Sequence, residues 1–130
     1  MANKRPLSPH LQIYKPMLTM MMSIMHRATG AALYAGTLLL SWYLLAAASG
    51  PEYFDFVSGI ANSIIGRIIL FGYTWALIHH MLGGVRHFIW DTGRGFDLPT
   101  VEMLARATII GSLTLTGLIW VVAFAVRGAF

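Results

Sequence analysis

Three long stretches of this chain carry no charge. None of the residues from Ala28 to Gly50 is ionised, eighteen uncharged residues separate Arg67 from Arg86, and twenty separate Arg106 from Arg127. Crossing a bilayer core takes roughly 20 predominantly apolar residues in a helix. The runs therefore predict an all-α membrane protein with three transmembrane helices, at about 23–49, 60–91 and 105–127. The first helix starts ahead of the bilayer core, because "MMMSIMHR" is helix-compatible and Pro16 is the last breaker. "SGPEYFD" and "DTGRGFDLPT" read as connecting loops, marked by Gly, Pro and Asp. The whole of 1–130 reads as a single membrane-anchor domain, with 1–20 as a segment on the inner surface. Composition agrees: 57% of the residues are hydrophobic and 11% charged, where a soluble domain carries about 25% charge.

Lys and Arg sort the two sides of the membrane. Lys4, Arg5, Lys15 and Arg27 precede or open the first span, and Arg86, Arg94 and Arg106 flank the second connection. Only Arg67 and Arg127 lie on the opposite side, a ratio of seven to two. The excess predicts an N-terminus facing the cytoplasm or mitochondrial matrix and a C-terminus facing outward. The net charge of +4 is scattered over span edges, so it is not a nucleic-acid footprint. The absence of cysteine excludes disulfides, thiolate-held iron–sulfur clusters and covalently attached c-type haem within this chain. "MANKRPLSPHLQIYKP" puts prolines and charges where a secretory signal would become apolar, so the first span is expected to stay in the mature protein. "MLTMMMSIM" holds five methionines in nine residues, which reads as adaptable apolar packing.

The second span ends on "HHMLGGVRH", with three histidines, an arginine and two glycines inside nine residues. His80 lies six residues before Arg86, about 9 Å deeper along the helix. It shares a face with His87, with Gly84 between them and Tyr73 one heptad above; His79 and Arg86 form a neighbouring stripe. An ionisable group at this depth points to function, although an interhelical hydrogen bond would also explain a buried histidine. Each glycine costs a helix about 1 kcal/mol relative to alanine. Gly83 and Gly84 therefore suggest a clearing, for a flat cofactor or for another helix. A haem needs a neutral imidazole with a free lone pair and such a clearing. His79 and His80 point in different directions and cannot both hold one iron. His26 lies nearer the surface, so the second ligand is expected from another protein.

"SIMHRATG" opens the first span at the same end. Ser23 and Arg27 are four apart and share a face, with His26 beside it. These residues suit either snorkelling to headgroups or a donor-rich pocket for carboxylates or quinone oxygens. Ala28, Ala32 and Gly36 follow a small-xxx-small pattern, and Thr108, Ser112 and Thr116 make a similar face on the third helix; both read as packing devices.

Taken together, "RPLSPHLQIY", "SIMHRATG" and "HMLGGVRHFIWDTGRG" resemble the cytochrome b subunit of succinate dehydrogenase, respiratory complex II, over nearly the whole chain. The family pattern H-x-x-x-G-x-R-H falls on His80, Gly84, Arg86 and His87. The resemblance implies that His80 is an axial ligand of haem b, shared with a second membrane-anchor subunit that supplies the other histidine. It implies that His26, Arg27, Gly84 and His87 lie near the haem and its propionates, and that Ser23, Ile24, Arg27 and Asp91 serve ubiquinone. His79 is outside the motif core. The implied assembly sits in the bacterial cytoplasmic or mitochondrial inner membrane. It contains an iron–sulfur subunit docked on this chain and, indirectly, a flavoprotein that oxidises succinate; this chain has no succinate-oxidising site. Competing readings are a small proton or ion transporter using His79, His80 and His87 as a relay, and a membrane anchor without cofactor.

Overall fold

The computed structural model describes residues 14–127. All of the motif "RPLSPHLQIY" but its final Tyr14, and most of the expected inner-surface segment, lie outside the described residues. The order is α1 (Leu18–Ser49), α2 (Pro51–Asn62), α3 (Ile64–Asp91) and α4 (Leu98–Arg127), with no strand among the described residues. Three of these helices, α1, α3 and α4, are long and apolar enough to cross a membrane.

α1 begins two residues after Pro16, as soon as that breaker is cleared. It runs unbroken to Gly50, whose φ of 117° ends it in a conformation that L side chains rarely adopt. Pro51 then occupies the first turn of α2, where its missing N–H costs nothing. The stretch read as a loop is therefore a short helix, because the same Gly-Pro pair that stops one helix starts the next. Ser63 separates α2 from α3 and caps α3 by accepting a hydrogen bond from the Gly66 N–H at 3.1 Å. A side chain at Gly66 would strike the Ile60 and Ala61 carbonyl oxygens, so this bend needs glycine.

α3 ends at Asp91, and Gly93 and Gly95 turn the chain with φ of 75° and 76°. The Asp97 carboxylate accepts from the Thr100 N–H at 3.0 Å at the start of α4. Hydrogen bonds from Thr100, side chain first and backbone second, hold this carboxyl below its ordinary value.

α3 is central and packs against the other three helices. Its face toward α4 meets the hydroxyl stripe of Thr108, Ser112 and Thr116, all buried, each turning its O–H to a carbonyl of its own helix. Toward α1 it meets Met22, Thr29 and Gly36, which are buried at seven-residue intervals. Gly36 takes the Tyr73 ring directly, and any Cβ there would overlap it. Ala28 and Ala32 are exposed. Of the small-residue stripe read from the sequence, only Gly36 makes the close crossing, because the buried seam follows a seven-residue spacing rather than a four-residue one. Many large apolar residues, among them Leu38, Leu44, Ile68 and Val121, remain exposed, as expected of surfaces that meet lipid or another apolar chain.

Candidate functional site

α1 and α3 cross near their shared end through a reciprocal exchange of rings and glycines. The His80 ring of α3 lies over Gly30 of α1: a Cβ on Gly30 would sit 2.9 Å from His80 Cε1. The His26 ring of α1 lies over Gly83 of α3, where a Cβ would collide with it. The two rings stack with centroids 4.0 Å apart and planes within 4°. The clearing expected beside His80 is thus half filled. Gly83 is closed by His26, whereas Gly84 has nothing within 4 Å of a Cβ position.

The hydrogen bonds of His80 decide its chemistry. Nδ1 lies 3.0 Å from the His26 carbonyl oxygen and 3.3 Å from Thr29 Oγ1. A carbonyl only accepts, so Nδ1 carries the proton and donates to it. The neutral ring then has its lone pair on Nε2, the arrangement required of a metal-binding imidazole whose other nitrogen is oriented by the protein. Thr29 is 3% exposed and is itself tied to the Met25 and His26 carbonyls, so the floor of this contact is rigid.

His79 is placed quite differently. It is 2% exposed and faces α4, with Nδ1 3.2 Å from Ser112 Oγ. The two adjacent histidines therefore serve different helix interfaces, and it is His80 that lies beside the open Gly84.

Toward the end of the bundle, a cavity of about 330 Å³ is walled by Thr19, Ser23, His26, Arg27, Arg86, His87, Trp90 and Val101. Pockets for small organic molecules begin near this size, at about 300 Å³. Arg27 donates to Ser23 Oγ at 3.2 Å, confirming that the two share a face. His87 is exposed, and its ring centroid lies 5.3 Å from that of His26. Arg86 was expected at the water-facing end, but it is only 5% exposed and its guanidinium stands over the Trp90 ring at 5.5 Å. It is held inside because a delocalised cation can rest on an aromatic face.

Of the residues singled out in the sequence, Ser23, His26, Arg27, Arg86 and His87 meet at this cavity. His80 and Gly84 lie deeper, at the adjoining ring stack. Ile24 and Asp91 are exposed and are not part of the cavity wall. Sequence reasoning missed Thr29, Gly30 and Trp90. Gly30 had a signal, standing four residues after His26 within "HRATG"; Trp90 had only its place one turn after Arg86.

The model of the succinate dehydrogenase/fumarate reductase transmembrane subunit family matches residues 1–119. The chain is 43% identical over 120 residues to the succinate dehydrogenase cytochrome b556 subunit of Paracoccus denitrificans, covering 92% of each. It is 39% identical over 119 residues to the corresponding subunit of Rickettsia felis, covering 92% of this chain and 93% of the relative. With the mitochondrial cytochrome b560 subunit of Sus scrofa it shares 36% identity over 115 residues, or 85% of this chain and 66% of the relative.

Proposed function

The chain belongs to the succinate dehydrogenase/fumarate reductase transmembrane subunit family, and on that premise we propose that it binds haem b and forms part of a ubiquinone-reducing site. It is a multi-pass inner-membrane protein of bacterial or mitochondrial type. The observation that carries the haem assignment is the hydrogen bond from His80 Nδ1 to the His26 carbonyl. It fixes the tautomer that leaves Nε2 able to ligate iron. The open face at Gly84, one turn along α3, offers the room a macrocycle needs. His26, Arg27 and His87 stand on the cavity side of His80 and would hold the propionates. A second membrane-anchor subunit would supply the other histidine that holds the haem. Haem b, when bound, would supply one-electron redox chemistry.

Ubiquinone is a substrate in this reading, and its headgroup enters the cavity beside Ser23. Arg27 donates to Ser23 Oγ, which engages an oxygen lone pair and leaves the Ser23 O–H free to donate to a quinone carbonyl. The Arg27 and Arg86 guanidinium groups stabilise negative charge as electrons arrive, and a low-dielectric site strengthens that effect. Ile24 and Asp91, both exposed in this chain, complete the rim against the partner subunits. The positive-inside excess turns this end toward the cytoplasm or matrix. There the iron–sulfur subunit docks, with the flavoprotein that oxidises succinate beyond it.

The test is purification of the assembled complex in mild detergent. A reduced-minus-oxidised spectrum with a b-type band, and co-purification of three further subunits, are expected. A transporter or a cofactor-free anchor would lack the band.

A further inference from the structure

The stripe of α3 that carries His79 holds buried polar atoms without a hydrogen-bond partner among the described residues. Ser112 Oγ has one proton, and it is directed to the Ile109 carbonyl oxygen at 3.0 Å. Toward His79 Nδ1 the hydroxyl offers only lone pairs, so Nδ1 is the donor in their 3.2 Å contact. His79 Nε2 is then an acceptor, and it is buried with no hydrogen-bond partner among the described residues. Arg86 Nε, a donor on the same stripe, is likewise buried without a partner among the described residues, as is Trp75 Nε1, whose ring lies 5.1 Å from that of His79. On α4, Thr108 is buried one turn before Ser112, its own proton tied to the Leu104 carbonyl.

These groups complement one another. His79 and Arg86 are seven residues apart, which puts them on one face, and helical side chains lean toward the N-terminus. Arg86 Nε lies nearer the helix backbone than the guanidinium carbon that stands over Trp90, and no direct hydrogen bond joins it to His79 among the described residues. An orphaned buried acceptor facing orphaned buried donors is the circumstance in which a structural water is held, since a water needs two to four polar partners. We propose that water is bound between α3 and α4, donating to His79 Nε2 and accepting from Arg86 Nε through one molecule or two in file. Trp75 Nε1 and Thr108 Oγ1 supply further contacts. The bridge makes His79 a positioning residue for the Arg86 guanidinium at the cavity wall. Only that consequence rests on the quinone reading of the cavity; the water site does not.

The test uses the whole complex in lipid nanodiscs. A cryo-electron-microscopy map that resolves ordered water should show density within hydrogen-bonding distance of His79 Nε2, continuing to Arg86 Nε. A map with resolved waters elsewhere in the membrane domain and none at His79 Nε2 overturns the proposal. Two variants then isolate the nitrogen. His79→Gln keeps a polar atom near the position of Nε2, and His79→Asn keeps one only near Nδ1. His79→Gln should retain the wild-type KM for ubiquinone. His79→Asn should raise it by about threefold to tenfold, the scale of losing one water-mediated contact, with succinate oxidation by an artificial acceptor unchanged. Equal KM values in the two variants contradict the positioning role. The map of the unsubstituted complex decides the water site even where a variant fails to assemble. Density present while Ser23→Ala leaves ubiquinone reduction untouched would sink the quinone reading and leave the water site standing.

Discussion

The imidazole rings of His26 and His80 lie parallel, 4.0 Å apart and within 4°, each seated over a glycine of the other's helix. The contact ties the placement of the proposed haem ligand to α1, through the His26 ring and the His26 carbonyl together. Anything that moves this part of α1 moves His80.

Gly30→Ala is the direct test of that coupling. The added Cβ would lie 2.9 Å from His80 Cε1, so the ring must shift. A complex that still assembles should show a displaced or weakened b-type band. An unaltered band would mean that Gly30 does not set the His80 orientation.

Gly84→Ala should behave in the opposite sense before cofactor binds. Its Cβ meets open space in this chain, and alanine favours the helix by about 1 kcal/mol. The subunit should insert normally, while haem content, measured as the haem-to-flavin ratio of the purified complex, should fall. Full haem content would place the macrocycle away from Gly84.

Gly36→Ala should weaken the α1–α3 crossing, because its Cβ overlaps the Tyr73 ring. Overpacking of this kind costs about 1–3 kcal/mol. A lower midpoint for thermal loss of the b-type band is expected, with the band itself normal at low temperature. An unchanged midpoint would contradict this packing.

Ser23→Ala removes one hydroxyl from the cavity wall. Ubiquinone reductase kcat/KM should fall about threefold to tenfold, the loss associated with one hydrogen bond. Succinate oxidation with an artificial acceptor at the flavoprotein should persist. If Ser23→Ala and Arg27→Ala both leave quinone reduction intact, the pocket is elsewhere.

The proposed orientation is open to labelling, since the chain has no native cysteine. In sealed membranes, single cysteines at Asn3 and Gly95 should react from the cytoplasmic or matrix side. Those at Ser49 and Ala129 should react from the other side. Reverse labelling would separate the cavity from its electron donor.

The spans were legible in the sequence because a charge inside hydrocarbon is expensive, and soluble folds seldom leave apolar runs of this length without one. The short helix α2 was not, because Gly50 and Pro51 signal a turn and a helix start equally well. The shared face of Ser23 and Arg27 follows from helical spacing alone, and the structure bears it out. Which ring would fill Gly83 depends on a partner helix more than fifty residues away, and no local pattern carries that. The burial of Arg86 was hidden for a similar reason. An arginine at a span edge normally snorkels, and here Trp90 gives it an aromatic face instead. Periodicity also separated the directions of His79 and His80 without saying which helix each would meet.

The measurement that bears most directly on the account is the reduced-minus-oxidised spectrum of the complex assembled with His80→Ala, set beside that of His79→Ala. Loss or severe weakening of the low-spin b-type band in His80→Ala, with the band retained in His79→Ala, is the predicted result. A normal band in His80→Ala would contradict the assignment of the iron ligand, and with it the reading of Nε2 as the atom this fold holds ready.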